Sequence, residues 1–353
     1  MTAEQKDNSR NEASLIAIQR VVYFAIPTML IIGALIAYKS SAALAVIANV
    51  SASGTFTPRG NVIPLVGDSG TSILTRTLNY FLVIWPALFF GILISGAVIT
   101  FVSPRWLDRA LGKGSLRAQI IGGAAGVPLM LCSCCVAPIF KGVYERSARL
   151  GPSLGLMLAA PALNPAALLL TFMLFDYKIA TTRAAASIAA VLFTGMVADK
   201  MFGGTRLPCE IDDDSQTLSA RSYLLRFLRS CAQVALRLIP AIVLGVLVSM
   251  IIAEWLPATS FASSNAKFIA VIFVATFAVP LALPTFFEIP LAFVLLASGA
   301  PVGAALALLI AGPAINLPSL LTIMRTTSWK VAAVVAASIW AIAVASGILA
   351  NSL

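Results

Sequence analysis

The stretch VPLMLCSCCVAPIF, residues 127–140, has a counterpart 152 positions later in VPLALPTFFEIPLA, residues 279–292. At that offset, without gaps, Pro128 matches Pro280, Pro138 matches Pro290 and Gly151 matches Gly303. Pro161-Ala162-Leu163-Asn164 then matches Pro313-Ala314-Ile315-Asn316. About a third of the columns from 127 to 169 are identical. Prolines, glycines and an asparagine coincide, which shared hydrophobicity alone does not produce. The chain contains an internal repeat, and each copy is broken by proline at corresponding places.

Composition says where such a repeat lives. The 353 residues are 59% hydrophobic and only 11% charged, against about 25% charged in a soluble domain. Mean hydropathy is +0.96. Several apolar runs reach the ~20 residues that a helix needs to cross a ~30 Å hydrocarbon core. They are continuous rather than alternating, which excludes a β-barrel. The fold expected is an all-α polytopic membrane protein in a lipid bilayer. The net charge of +10 fits basic loops under the positive-inside rule; no nucleic-acid motif accompanies it.

The runs predict helices over about 14–38, 79–101, 151–175, 179–199, 230–254, 302–324 and 330–350. The first is too long for a signal peptide and reads as a retained helix. The segment 40–77, with Gly54, Pro58, Gly60 and Gly70, reads as a loop, and 200–228 as a polar linker containing Asp212, Asp213 and Asp214. Between these lie two broken apolar regions, 118–140 and 266–298. Lys6, Arg10 and Arg20 place the N-terminus in the cytoplasm. Arg105, Arg109, Lys113 and Arg117 put both ends of 118–140 on that side, together with Lys141 and Arg146, which read as interfacial charges. The region is then a re-entrant hairpin, tolerated only inside protein or beside a watery cavity. Three crossings make the second copy start inverted, and the chain ends outside.

The organisation expected is therefore residues 1–77 as an N-terminal helix and external loop, 78–200 as repeat 1, 201–228 as a cytoplasmic linker and 229–353 as repeat 2. Each repeat has three crossing helices and a re-entrant hairpin. Inverted repeats with interrupted helices point to a secondary transporter with a site near the midplane. The helix breaks expected are at Pro128, Pro138, Pro161, Pro280, Pro290 and Pro313.

Three side-chain groups carry chemistry. Cys132, Cys134 and Cys135 sit within four positions of a chain with five cysteines and no histidine. They read as inert small hydrophobes, as a redox pair, or as a soft site. Zinc is disfavoured, because structural zinc wants four N/S ligands. Thiolates prefer soft, polarisable species, of which trivalent arsenic and antimony compounds are examples, and neighbouring thiols could pass a substrate between them. Asn164 and Asn316 each follow a proline break and read as helix caps or as lining for a central site. Glu288, where the first copy has Val136, is an ionisable residue at membrane depth, which by default suggests function; it is the candidate for proton coupling. No cofactor is implied, no Walker motif is present, and the chain reads as a non-enzyme of undetermined oligomeric state.

The residues Cys132-Ser133-Cys134, Pro138, Gly151 and Pro161-Ala162-Leu163-Asn164-Pro165 resemble the signature of the predicted-permease family that includes the ArsP-type organoarsenical efflux permeases. Gly303 and Gly312-Pro313-Ala314-Ile315-Asn316-Leu317-Pro318 resemble that family's second repeat. The resemblance covers about residues 75–350. It implies a bacterial inner-membrane permease, some members exporting trivalent arsenicals. The family pattern usually has glycine after the second cysteine; Cys135 stands there and adds a thiol. The expectation is gradient-driven efflux of a soft, thiophilic small molecule or metalloid, with Cys132, Cys134, Cys135, Asn164 and Asn316 binding it. The alternatives are a transporter of a small sulfur or selenium compound, a membrane thiol–disulfide enzyme, for which Cys209 and Cys231 offer no clear resolving pair, and a scaffold subunit.

Overall fold

The computed structural model describes residues 26–53, 73–101, 115–147, 149–202, 220–254, 267–283, 286–297 and 299–352. Among these there are helices and no strand. Apolar side chains leave backbone groups no partner in lipid except one another, and the helix satisfies them locally. Among the described residues, five helical stretches are long and apolar enough to cross a membrane, one of them the interrupted 150–174, or seven when each of two bent pairs counts as one span.

The helices are α1 (Ile26–Ser53), α2 (Ile73–Phe101), α3 (Ser115–Gly126), α4 (Ser133–Ser147), α5 (Leu150–Ala162), α6 (Pro165–Leu174), α7 (Tyr177–Phe202), α8 (Ala220–Glu254), α9 (Lys267–Ala278), α10 (Glu288–Ala297), α11 (Val302–Ala314), α12 (Leu317–Thr326) and α13 (Trp329–Ser352). The starts of α3, α5, α6 and α7, at 115, 150, 165 and 177, each gain 152 to give those of α9, α11, α12 and α13, at 267, 302, 317 and 329. The sequence offset is thus an offset between helices. The packing repeats with it: α3 lies on α5 and α7 as α9 lies on α11 and α13, and α5 lies on α7 as α11 lies on α13. Even a tie is duplicated. The Gly151 amide donates to Asp199 Oδ1 at 3.3 Å, and the Gly303 amide to Asn351 Oδ1 at 2.8 Å.

Small residues set the closest approaches. A Cβ on Gly122 or Gly126 of α3 would collide with the carbonyl of Pro152 or Leu156 on α5. This four-residue spacing of glycines lets helix backbones touch where no hydrophobic effect drives association. The two units meet along α7 against α13, α5 against α11 and α2 against α8. Leucines such as Leu30, Leu82 and Leu236 are exposed, as expected for side chains facing lipid.

Several boundaries differ from the sequence expectation. α1 runs to Ser53, through residues expected to be loop. Ser40, Ser41 and Ser51 bond the carbonyls of Ala37, Tyr38 and Ala48, so their hydroxyls are satisfied inside a helix rather than ending it. The expected start at 14, the N-terminal basic residues and residues 54–72 lie outside the described residues. The polar linker is shorter than expected, since α7 reaches Phe202 and α8 begins at Ala220; Cys209 and the three aspartates lie outside the described residues. Pro138 does not break a helix: it lies inside α4, which runs on to Ser147. Lys141 therefore belongs to that helix, buried and 3.0 Å from Glu145 one turn on, not to an exposed charged segment. The side chain of Arg146, with Arg105, Arg109 and Lys113, is outside the described residues. Pro290 occupies the first turn of α10, where a missing N–H costs nothing. Pro161 and Pro313 are the penultimate residues of α5 and α11, and Pro128 and Pro280 lie just past α3 and α9. α2 bends by 55° between Leu82 and Ile84, because Pro86 leaves the Leu82 carbonyl without its helical donor.

Candidate functional site

Four interruptions converge. At 1.5 Å per residue, α3 and α9, with 12 residues each, reach only about 18 Å, short of a ~30 Å core. The chain then turns into α4 or α10, neither of which packs along its predecessor. The other two breaks are Leu163-Asn164 between α5 and α6 and Ile315-Asn316 between α11 and α12. A small pocket is lined from all four: Leu131, Cys132 and Ser133; Pro161, Asn164 and Ala167; Leu283, Phe286 and Glu288; and Pro313. The breaks also bond each other, since the Leu317 amide donates to the Pro280 carbonyl at 3.2 Å. The equivalent of Leu317 is Pro165, which has no N–H to give.

The thiols sit at one wall. Cys132 precedes α4, and its carbonyl accepts from the amides of Cys135 (3.0 Å) and Val136 (3.1 Å). That first turn folds Cys135 back beneath Cys132. The Sγ atoms of Cys132 lie 3.2 Å from Cys134 and 2.8 Å from Cys135, and Cys134 and Cys135 are 3.9 Å apart. Only Cys132 lines the pocket; the other two back it, fully buried. Tyr80 of α2 brings its hydroxyl 3.2 Å from Cys134 Sγ. Cys231 is elsewhere, on α8 against the Ile92 carbonyl. The backbone at this wall is strained: Met130 has φ 49° and, across the pocket, Phe286 has φ 75°. Left-handed non-glycine residues are costly and cluster at functional sites.

The two asparagines are N-caps. Asn164 Oδ1 accepts from the Ala166 and Ala167 amides of α6, at 3.1 and 3.4 Å. Asn316 Oδ1 accepts from Ser319 N at 3.0 Å, while the Ser319 hydroxyl accepts from the Asn316 amide at 3.0 Å, a reciprocal box. Both Nδ2 groups are buried with no protein partner. Asn164 lines the pocket; Asn316 is not among its lining residues.

Glu288, the first residue of α10, is buried rather than at an outer surface. Its Oε1 lies 3.0 Å from Arg183 Nη2 of α7. Arg183 Nη1 also donates to the Thr171 hydroxyl of α6, and Arg183 Nε has no partner. The pair joins the two units: Arg183 belongs to the first and Glu288 to the second. Their equivalents are Val335 and Val136, both buried, so the charge occurs once, not twice.

Arg183, Thr171 and Tyr80 are absent from the sequence-based candidates. For Arg183 a signal exists, a cation inside an apolar helix. For Tyr80 there is none, because a tyrosine in a membrane segment is ordinary and its thiol partner is 54 residues away.

A model of the predicted-permease family ArsP_1 matches residues 70–352. The chain is 29% identical over 273 residues to UPF0718 protein YraQ of Escherichia coli (strain K12), covering 75% of this chain and 78% of that one. UPF0718 protein YcgR of Bacillus subtilis (strain 168) matches at 27% over 124 residues, 35% of this chain and 42% of that one. UPF0718 protein MJ0584 of Methanocaldococcus jannaschii matches at 23% over 118 residues, 33% of this chain and 32% of that one. No solved structure matches.

Proposed function

The chain belongs to the predicted-permease family that its residues 70–352 match, and from that premise we propose that it is a permease for a small, soft, thiophilic solute, best met by a trivalent arsenical or antimonial. One observation carries this reading: three thiols within 4.8 Å of one another at the wall of a pocket where four helix breaks meet. An arsenous hydroxide exchanges hydroxyl for thiol. Each As–S bond that forms releases one water, made from that hydroxyl and the thiol proton. Cys132 meets the solute first, and Cys135 and Cys134 take it over by thiol exchange, in which the As–S bond to Cys132 breaks as the new one forms and the incoming thiol's proton passes to the Cys132 sulfur. Asn164 lines the path, and Asn316 holds the opposite break in shape.

The reading includes direction and drive. Transport is outward across a bacterial plasma membrane, with the N-terminus cytoplasmic and the C-terminus outside. The two units have opposite orientations and alternate access around the pocket. Glu288 couples this to the proton gradient by exchanging Arg183 for a proton, and the ion pair between units makes that exchange felt by both. The same thiols also suit a small sulfur or selenium compound, and one assay separates the two. An arsenic-sensitive host expressing the protein is grown on methylarsenite, arsenite and antimonite, beside Cys132→Ser and Cys134→Ser. Protection by the wild type, lost in both variants, is the expected result. Equal sensitivity with and without the wild type sinks the arsenical reading.

A further inference from the structure

We infer that Asn164 and Glu288 form a hydroxyl-binding subsite beside the thiols, so that the site selects a neutral soft solute still carrying an –OH and rejects an oxyanion. The inference rests on the thiol role proposed above and narrows its substrate class.

Asn164 is fixed by what its oxygen does. Oδ1 is committed to the Ala166 and Ala167 amides, which sets the orientation of the amide and turns Nδ2 the other way. That Nδ2 is buried with no partner, and the residue lines the pocket. Buried donors are nearly always satisfied, so an unpaired one in a residue that lines a pocket is available to a ligand atom that accepts. The N-terminus of the ten-residue helix α6, which Asn164 caps, adds a partial positive charge there.

Glu288 supplies the complement from the second unit. It lines the same pocket, with Oε1 held 3.0 Å from Arg183. An ionised carboxylate only accepts hydrogen bonds. Beside Cys132 the pocket thus offers one amide donor and one carboxylate acceptor, with the Ser133 hydroxyl able to play either part. A hydroxyl satisfies both, accepting from Asn164 and donating to Glu288. A fully deprotonated oxyanion has only acceptors, and any oxyanion meets the carboxylate charge. An ammonium has only donors and leaves Asn164 unpaired. The undissociated hydroxides of trivalent arsenic and antimony carry such hydroxyls on the atom that the thiol attacks. Asn316 also has an unpaired Nδ2, but it does not line the pocket, so the subsite is one-sided although the caps are symmetric.

Asn164→Asp separates donor from cap. It keeps an oxygen for the Ala166 and Ala167 amides and replaces the donor with an acceptor. The full-length protein in nanodiscs is titrated with arsenous acid and, separately, with Hg²⁺ in chloride buffer, where this soft cation carries chloride in place of hydroxyl. The readout is protection of Cys132, Cys134 and Cys135 from maleimide by mass spectrometry. The variant is expected to need about tenfold more arsenous acid, the loss of one hydrogen bond, with its Hg²⁺ titration unchanged. Thiosulfate is expected to protect nothing in the wild type. Unchanged arsenous acid binding in the variant, or protection by thiosulfate, overturns the subsite and leaves the thiol reading standing. If Hg²⁺ protection also falls, Asn164→Ser, which keeps a capping oxygen without the amide, decides by the same two titrations. Wild-type thiols protected by Hg²⁺ but by neither arsenous acid nor methylarsenite overturn the subsite and the arsenical reading together.

Discussion

Glu288→Gln tests the ion pair between the units. Arg183 is fully buried, and Glu288 is 2% exposed. The guanidinium has two anchors, Glu288 Oε1 and the Thr171 hydroxyl, while Nε has none. Glutamine removes the anion and leaves a buried cation with neutral partners. Breaking a buried pair from one side costs about 3–5 kcal/mol. Removing both charges is different, because well-packed apolar residues of similar volume are often neutral or better. The equivalent positions of the repeat hold buried valines, Val335 and Val136. Arg183→Met with Glu288→Leu is therefore expected to recover most of the stability that Glu288→Gln loses, and to stay inactive in transport. Equilibrium unfolding in mixed detergent micelles measures the first effect and transport in proteoliposomes the second. A single-variant loss under about 1 kcal/mol, or a double variant as unstable as the single one, refutes the claim of an uncompensated buried charge. A double variant that still transports refutes the coupling role.

Gly122→Ala and Gly126→Ala push a Cβ into the α5 backbone and should each lower stability by roughly 1–3 kcal/mol. Gly33→Ala on α1 meets nothing within 4 Å and should raise it by up to about 1 kcal/mol; thermal unfolding of the three separates packing from helix propensity. Asn316→Ala removes a reciprocal cap and should cost about 0.5–2 kcal/mol, whereas Asn316→Asp should be near wild type in the same assay. Tyr80→Phe deletes the hydroxyl on Cys134 and should preserve the fold while changing the rate at which maleimide labels Cys134.

Much of the architecture was legible because the repeat is written in residues whose backbone effects are local. Pro128 and Pro280 fall just past α3 and α9, and Pro161 and Pro313 end α5 and α11, since proline removes a donor wherever it stands. An asparagine after such a break is a cap by its own chemistry. The same reasoning misleads at Pro138, which α4 absorbs, and at the serines of α1, whose hydroxyls bond back into the helix. In both places neighbouring residues, not the marker itself, decide. The thiol cluster was visible as three nearby letters. What surrounds it was not, because Glu288 meets Arg183 across 105 positions and Cys134 meets Tyr80 across 54. Neither partner has a repeat equivalent to advertise it: position 335 holds valine where 183 holds arginine. The periodicity that reveals the scaffold is blind to the residues that break the symmetry, among them Cys132 and Glu288 at the pocket.

The most direct test of the central claim is efflux of methylarsenite from proteoliposomes containing the purified protein, followed with an imposed proton gradient. Release is expected to be faster than from empty liposomes, accelerated by the gradient, and abolished by Cys132→Ser. Release at the rate of empty liposomes, or release that Cys132→Ser leaves intact, contradicts the claim.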